Sequence, residues 1–286
     1  MRSNLDTSSL KYSMKESRQY YDAIQKMWDE FAKVNYQSEV YQTKEFLKGK
    51  TSLNSIELDE LGKFVKGKSL LHLQCHFGLD TLSWARQGAK VTGVDISGKA
   101  INLARQLAKN AKIEASFVES NIYDLPKNLD EKYDIVFTSY GVLCWLNDLK
   151  RWAEIIAQFL KLWGIFYIAE FHRFIWVFDW DAPNDFVLKN NYFHDPEPIG
   201  YTVSGSFADG NKTTEKLDGY EWSHSLSDVI NSIISAGLQI KFFNEFSKAL
   251  FQRFPFLKKS VDGYWRYDHS EIQLPLVFTL MAKKEE

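Results

Sequence analysis

The segment Leu71-His72-Leu73-Gln74-Cys75-His76-Phe77-Gly78-Leu79-Asp80-Thr81-Leu82 decides the fold. It starts inside a short apolar run, 69–74, and turns through a loop that ends at Gly78. Apolar residues then recur at helical spacing until Gly88, which favours the end of a helix. The segment therefore predicts a strand, a tight loop and a helix. In an α/β sheet, such a loop lies at the carboxyl end of its strand, where ligands bind.

The same alternation continues C-terminal to this unit. Ser97 and Asp148 can each cap a helix, and Ser225 with Asp228 three residues later matches a capping box for another. Further strands are predicted at 90–94, 115–118, 133–140 and 164–170, followed by a final pair at 239–246 and 273–281. Strands that alternate with helices predict a doubly wound parallel sheet. The final pair has no helix between its members, so these two strands should be antiparallel.

The chain divides into four predicted regions. Residues 1–66 form an arm, loose over 1–13, and a helical cap, and residues 67–171 form the α/β core. Residues 172–223 carry several prolines and glycines and are too long for an ordinary connection, which predicts an inserted lid. Residues 224–286 add a helix and the last two strands. The predicted fold class is α/β: a doubly wound, mostly parallel seven-stranded sheet with an antiparallel last strand, an N-terminal helical cap and a lid after strand five.

Composition narrows the range of partners. The 286 residues are 45% hydrophobic, and 35 Lys and Arg face 37 Asp and Glu. The resulting net charge of −2 offers no general attraction to nucleic acid or to an anionic membrane. Two cysteines, Cys75 and Cys144, are too few for a disulfide framework, and the polar start lacks the apolar core of a signal peptide. These features predict a cytoplasmic protein with neither a membrane nor a nucleic acid as its partner.

The loop and the second strand point to a nucleoside ligand. Asp95 ends that strand 17 residues after Gly78, close to the ~20 expected for a carboxylate that accepts hydrogen bonds from ribose hydroxyls. A dinucleotide loop would carry Gly-x-Gly-x-x-Gly, but Gln74 and His76 stand where its first two glycines would be. The pattern therefore argues against a pyrophosphate and favours a nucleoside without phosphates, such as an adenosine with an amino-acid tail.

These residues resemble the first motif, His-Leu-Gln-Cys-His-x-Gly, of a largely uncharacterised bacterial branch of class I S-adenosylmethionine-dependent methyltransferases. The similarity continues through residues 91–97, 143–146, 170–172 and 221–224, and upstream through 28–30 and 57–58. The resemblance implies S-adenosylmethionine as the cofactor and transfer of its methyl group to an acceptor. It also implies a seventh strand that runs against the others.

The resemblance further implies roles for individual residues. The backbone of residues 74–78 would wrap the methionine part of the cofactor, Asp95 would accept from the ribose hydroxyls, and Asn121 would bind the adenine amine. The implied cofactor-binding residues are Gln74, Cys75, His76, Gly78, Asp95, Ile96, Asn121, Ile122, Ser139 and Tyr140. His72 departs from the pattern, because most class I enzymes have an acidic residue there to recognise the cofactor's amino group.

Methyl transfer is an in-line displacement, for which alignment and exclusion of water can do much of the work. A base is needed only if the acceptor must lose a proton. His224, which opens the helix after the predicted lid, is the first candidate for that base, and Glu170 is the second. The predicted acceptor pocket is lined by Trp28, Trp145, His172, Glu221 and Trp222. No metal site is predicted, because the six histidines show no His-x-x-x-His spacing and the cysteines no Cys-x-x-Cys.

The leading prediction is thus a methyltransferase that acts on a small molecule beneath the lid. A non-catalytic binding protein on the same fold would explain the missing glycines and His72. A nicotinamide-dependent oxidoreductase would need the phosphate loop that this sequence lacks. A methyltransferase with RNA or protein as its acceptor is supported only by the basic run 248–259, with Phe251, Phe254 and Phe256 interleaved.

Overall fold

The computed structural model describes residues 7–209, 214–268 and 271–285, with side chains from Arg18 onward in the first helix. Three helices precede the sheet: α1 (Thr7–Gln37), α2 (Thr43–Leu47) and α3 (Ser55–Val65). The alternating part then comprises β1 (Ser69–Leu73), α4 (Leu79–Arg86), β2 (Lys90–Asp95), α5 (Gly98–Ala111), β3 (Ser116–Glu119), α6 (Leu125–Asn128), β4 (Tyr133–Ser139), α7 (Leu149–Phe159) and β5 (Leu160–Phe171). The remaining elements are β6 (Ile199–Val203), β7 (Leu217–Glu221), α8 (Leu226–Ser235), β8 (Leu238–Phe246), β9 (Leu257–Lys259), β10 (Trp265–Tyr267) and β11 (Val277–Lys284).

Seven of these strands form one sheet in the order β3-β2-β1-β4-β5-β11-β8. Strands β1 to β5 pair in parallel, and β11 is antiparallel to both of its neighbours, β5 and β8. The predicted sheet, with its antiparallel last strand, is therefore confirmed. Strand β11 begins at Val277 rather than at residue 273, after Pro275, which has no N–H to donate to a ladder.

Alternate strand residues pack on opposite faces of the sheet. Leu71 and Leu73 face the side covered by α7 and α8, whereas Leu70 faces the side covered by α3 and α4. This two-sided burial explains why β1 and β4 carry apolar residues on both faces instead of a strict alternation of apolar and polar residues.

The predicted helix caps are present. The Ser97 side chain accepts from Ala100 N, and the Asp148 side chain accepts from Arg151 N. Ser225 and Asp228 form the reciprocal bonds of a capping box at the start of α8. Each cap satisfies an N–H that the helix cannot satisfy internally, and so fixes where the helix begins.

The N-terminal segment departs from the prediction. Helix α1 already begins at Thr7, whereas 1–13 was expected to be loose; residues 1–6 lie outside the described part. The expected irregular structure over 172–223 holds for most of its first half, but β6 and β7 form an antiparallel hairpin. Met27 and Phe31 of α1 pack against Leu217 of this hairpin. We call α1 and the β6–β7 hairpin together the cover; the division at residues 66, 171 and 223 stays a prediction.

Candidate active site

A cavity of about 1030 Å³, the main cavity, opens where β1, β2 and β4 end, under the cover. All ten residues that the sequence assigned to a cofactor line it, as do Trp28, Trp145, Glu221 and Trp222 from the predicted acceptor pocket. Glu170, His172 and His224 do not line it. One chamber therefore brings together the end of the first strand, the end of the second strand and the aromatic residues of the cover.

The loop after β1 has an unusual backbone. Gln74, His76 and Gly78 have φ angles of 57°, 51° and 79°, in the left-handed region that disfavours residues with a Cβ. A Cβ on Gly78 would lie 2.8 Å from Cε1 of Phe117, a buried side chain, so no other residue fits there without displacement. The turn directs the main chain of residues 74–78 toward the cavity.

Asp95 at the end of β2 holds this loop in place. One carboxylate oxygen accepts from His76 N at 2.7 Å and the other from Ser97 N at 2.9 Å. Burial raises the pKa of Asp95 to about 6, although the hydrogen bonds from Ser97 and His76 oppose that rise. The group is therefore ionised at neutral pH, and each oxygen keeps a lone pair for a further donor.

Two polar atoms of the loop lack partners. Gln74 Oε1 and His76 Nδ1 are buried, and neither has a hydrogen-bond partner within the described ranges. Asn35 Nδ2 donates to His76 Nε2 at 3.0 Å, and burial lowers the pKa of His76 to about 3, so the ring is neutral with its proton on Nδ1. The loop that lines the cavity thus carries one unpaired acceptor and one unpaired donor. They fit the ammonium and the carboxylate of an amino-acid tail, because such buried atoms are costly when left unpaired.

Asp80, in the first turn of α4, is a site residue that the sequence analysis missed. Its carboxylate lines the cavity and accepts from Ser52 Oγ at 2.6 Å and from Ser139 Oγ at 3.2 Å. His72 lies beneath it, bonded to Thr81 Oγ1 at 2.8 Å, and burial lowers the pKa of His72 to about 3. The carboxylate that is absent at position 72 is therefore present eight residues later.

At the third strand, Asn121 and Ile122 lie as expected beside the cavity. The Asn121 side-chain oxygen accepts from Tyr123 N at 2.9 Å and caps a short 3-10 helix. That oxygen accepts one hydrogen bond and keeps a lone pair for a further donor, such as the adenine amine predicted for it, and the amide nitrogen can donate to a ligand. Ile96 and Ile122 supply apolar surface on the same wall.

Glu170 and the two histidines hold backbone instead of facing the cavity. Glu170 accepts from four backbone N–H groups, those of Gly141, Val142, Leu143 and Phe171. His224 Nε2 donates to Leu146 O at 2.5 Å. His172 bonds to Glu245 and accepts from Phe174 N. These placements argue against direct contact of Glu170, His172 or His224 with an acceptor, because each side chain is engaged behind the wall.

The other end of the main cavity carries aromatic residues and two arginines that the sequence analysis did not assign. Trp176, Trp180, Arg173 and Arg253 line it together with Glu221. Glu221 accepts from Tyr201 OH at 2.8 Å. A Cβ at Gly219 would lie 2.5 Å from the Tyr201 ring, so this glycine is what allows the ring to cross β7 and reach Glu221.

The described residues offer neither a membrane-spanning helix nor a cluster of metal ligands. No helix there combines the length and the apolar character needed to cross a bilayer. No group of three or more His, Cys, Asp or Glu side chains in those ranges could hold a metal ion.

Comparison with known proteins agrees with this arrangement. Residues 71–168 match the family model described as a methyltransferase domain. The uncharacterized methyltransferase YbaJ of Bacillus subtilis (strain 168) is 28% identical over 185 residues, which cover 63% of this chain and 69% of that protein. A ubiquinone biosynthesis O-methyltransferase of Salmonella arizonae is 29% identical over 107 residues, 37% of this chain but only 44% of that protein.

Among solved structures, a putative S-adenosylmethionine-dependent methyltransferase from Listeria monocytogenes superimposes with a TM-score of 0.54. It is 20% identical, and the match covers 81% of this chain and 98% of that one. At this identity the likeness speaks for the fold alone, and the fold agrees with the matched domain. Residues 71–168 are thus a methyltransferase domain, on a fold shared with S-adenosylmethionine-dependent methyltransferases.

Proposed function

We propose that this methyltransferase binds its cofactor along the tips of β1, β2 and β4 and methylates a small molecule in the same chamber. One observation carries the proposal: a single cavity of about 1030 Å³ joins all the expected cofactor residues to an aromatic second end. Ligand sites commonly measure about 300–1,000 Å³, so this volume suits a cofactor together with a small acceptor.

In this proposal the chain recognises each part of the cofactor with a different group. Asp95 accepts from the ribose hydroxyls, and Ile96 and Ile122 pack on the adenine. Gln74 Oε1 and the Asp80 carboxylate accept from the ammonium group, while His76 Nδ1–H donates to the carboxylate. This assignment is supported by the two unpaired atoms of the loop and by the lining position of Asp80.

S-adenosylmethionine, when bound, supplies the methyl group and leaves as S-adenosylhomocysteine. The protein's part is to align the acceptor for in-line attack and to exclude water. Trp28 and Trp145 pack edge to face at 5.4 Å between the cover and the loop after β4. Trp145 Nε1 also donates to Gly141 O at 2.7 Å, which fixes that loop. A base is needed only if the acceptor must lose a proton. In that case Glu221, whose carboxylate lines the cavity, would accept the proton.

A chamber that lies beneath the cover favours a small acceptor over a polymer. The cover packs on the loop after β4 through Trp145, so a bulky acceptor would have to displace it. The basic run 248–259 gives little support to an RNA acceptor: Arg253 lines the cavity, Phe254 is buried, and Lys258 pairs with Asp268. The names of the relatives give different substrates, so they do not narrow the choice of acceptor further.

Calorimetric titration with S-adenosylhomocysteine tests the cofactor site. We expect Asp95→Ala to weaken binding by about 10- to 100-fold, because a charged acceptor of hydrogen bonds contributes about 1.5–3 kcal/mol. Asp130→Ala is the matched control, since Asp130 is an exposed aspartate before β4 and should leave affinity unchanged. Equal affinity of Asp95→Ala and wild type would contradict the placement of the ribose. Absence of binding to wild type would contradict the site altogether.

A further inference from the structure

The acceptor end of the main cavity contains two arginine side chains on one aromatic patch. Arg173 lies in the 3-10 segment Arg173–Val177, and Arg253 lies in the loop between β8 and β9. The guanidinium carbons lie 5.7 Å and 5.0 Å from the centroid of the same Trp176 ring. Arg253 also lies 2.9 Å from the Trp180 centroid. Residues 80 positions apart in the sequence thus place two cations on the same part of the cavity wall.

These cations are incompletely paired. Arg173 donates through Nη2 to Asn191 O and to Ser223 Oγ, but its Nε is buried with no partner in the described part of the chain. Arg253 makes no hydrogen bond or ion pair to any residue that the structure describes, and its known contacts are with aromatic rings. Both guanidinium groups therefore keep N–H donors for a ligand.

One carboxylate faces them from the cavity wall, but at a distance. Glu221 attracts both arginines, yet neither forms an ion pair with it within 4.0 Å. Burial lowers the pKa of Arg253 to about 10, so the group stays protonated at neutral pH. Lys189 and Asp179, which also line the cavity, pair with each other at 2.9 Å. Asp181 lines this end too but is exposed to solvent. Apart from the Lys189–Asp179 pair, the half-buried groups are therefore two cations and one carboxylate, a surplus of about one positive charge when Glu221 is ionised.

A half-buried cation without a counter-charge is unfavourable, and a ligand anion offsets that cost. Guanidinium groups bind planar carboxylates through two parallel N–H···O bonds. A single negative charge matches the surplus better than a phosphate, which carries nearly two at neutral pH. Trp28 and Trp145 line the same cavity and offer apolar surface to the rest of such a ligand.

We propose, resting on the function proposed above, that the methyl acceptor is a small organic acid whose carboxylate binds Arg173 and Arg253. The arginines then select the acceptor by charge, while the tryptophans hold its apolar part. Arg253 is a specificity-determining residue in this account, and it acts in the binding of the acceptor, not in the transfer of the methyl group.

The first test titrates protein saturated with S-adenosylhomocysteine with benzoate, phenyl phosphate, benzamide and benzylamine, which share one ring and differ in charge. We expect benzoate to bind about tenfold or more tightly than benzamide and benzylamine, as for a hydrogen bond to a charged group. Arg253→Met should lower benzoate affinity about tenfold or more, with partial recovery in Arg253→Lys. Arg266→Met is the control, because Arg266 pairs with Asp262 outside the cavity.

Affinity for S-adenosylhomocysteine is measured in every variant and shows that each one folds with its cofactor site intact. If benzamide or benzylamine binds as well as benzoate, or if both Arg253→Met and Arg173→Met keep wild-type benzoate affinity, the inference is overturned. Tighter binding of phenyl phosphate than of benzoate also overturns it. Loss of S-adenosylhomocysteine binding by wild type would instead refute the cofactor site, so the two failures are distinguishable.

A second test measures turnover. A metabolite extract is separated by ion exchange into anionic, neutral and cationic fractions, and each is incubated with methyl-labelled S-adenosylmethionine and enzyme. Label should enter product from the anionic fraction and fall about tenfold or more in Arg253→Met at limiting acceptor. Incorporation from the neutral or cationic fraction alone would overturn the inference while supporting the proposed methyl transfer.

Discussion

The two ends of the main cavity are built in opposite ways. The cofactor end consists of main chain and carboxylates, Asp80 and Asp95, carried on strand ends and on the first turn of a helix. The acceptor end consists of arginines and tryptophans from segments far apart in the sequence. The first end is built by the strand ends of the sheet, and it would bind the same cofactor whatever the acceptor is. The second comes from the segments that follow β5 and β8, so we expect the choice of acceptor to depend on those segments.

The charges of the two ends are opposite as well, which suits a positively charged donor and an acidic acceptor in one chamber. Asp80 and Asp95 lie at the proposed cofactor end, and the incompletely paired guanidinium groups of Arg173 and Arg253 lie at the proposed acceptor end. We therefore expect a substitution at one end to disturb ligand binding there without disturbing the other end.

The largest effect should come from the strained loop. Gly78→Ala should lower the free energy of unfolding by about 2–5 kcal/mol, since the left-handed backbone costs about 1–2 kcal/mol for a residue with a Cβ and overpacking adds about 1–3 kcal/mol. Cofactor affinity should fall with it. Urea denaturation and titration with S-adenosylhomocysteine measure the two quantities.

Gly237→Ala is the matched control, because Gly237 has φ +77° against +79° for Gly78 but nothing within 4 Å of an added Cβ. It should cost only the backbone part, about 1–2 kcal/mol, and spare the cofactor. Equal losses of stability in the two variants would show that the contact with Phe117 adds nothing, and that the loop tolerates a side chain.

The next prediction concerns the pH dependence of stability that Glu57, a buried carboxyl group near Asp80, should cause. Glu57 is fully buried beneath Tyr140, and burial followed by repulsion from Asp80 raises its pKa from about 4.5 to about 7. The folded state thus binds this proton more tightly than the unfolded state, so the contribution of Glu57 to stability falls as pH rises from 4.5 to 7. Glu57→Gln removes the ionisation.

We therefore expect the stability of Glu57→Gln relative to wild type to increase by about 2–3 kcal/mol between pH 4.5 and 7.5, from about 1.4 kcal/mol per pKa unit. Chemical denaturation at several pH values measures it. Asp59→Asn, an exposed change on the same helix, should show no such trend. A pH-independent difference for Glu57→Gln would mean that the buried carboxyl does not ionise in this window.

The two ends of the main cavity also differ in how well their residues could be predicted from the sequence. The positions of Asp95 and Gly78 at the strand ends could be predicted, because strand ends and turns leave local patterns in the sequence. Arg253 was missed because a basic run with interleaved aromatics is also typical of a solvated loop, and only the packing of Phe254 turns the arginine inward.

The direction of the His224 side chain could not be predicted for a similar reason. Its place at the start of α8, after the insertion, was predicted correctly, yet the direction of its ring depends on Leu146 O, 78 residues away. Tyr201 reaches Glu221 only because Gly219 stands opposite it on β7. Such cross-strand and cross-loop contacts depend on tertiary structure, which spacing along one chain does not contain.

The smallest predicted effect distinguishes recognition of the cofactor's amino-acid tail from recognition of its nucleoside. Asp80→Asn should weaken S-adenosylhomocysteine about tenfold, since the amide keeps partners for Ser52 and Ser139 but loses the charge that attracts an ammonium group. Adenosine, which has no such group, should bind Asp80→Asn as it binds wild type, whereas Asp95→Ala should weaken both ligands. Glu57→Gln is the control, because it removes a neighbouring charge that does not line the cavity. If Glu57→Gln weakens the binding of S-adenosylhomocysteine as much as Asp80→Asn does, the loss comes from the reduced negative charge near the site and not from a direct contact with Asp80. If Asp80→Asn lowers adenosine affinity equally, the carboxylate shapes the loop, and recognition of the amino group has to be sought at Gln74.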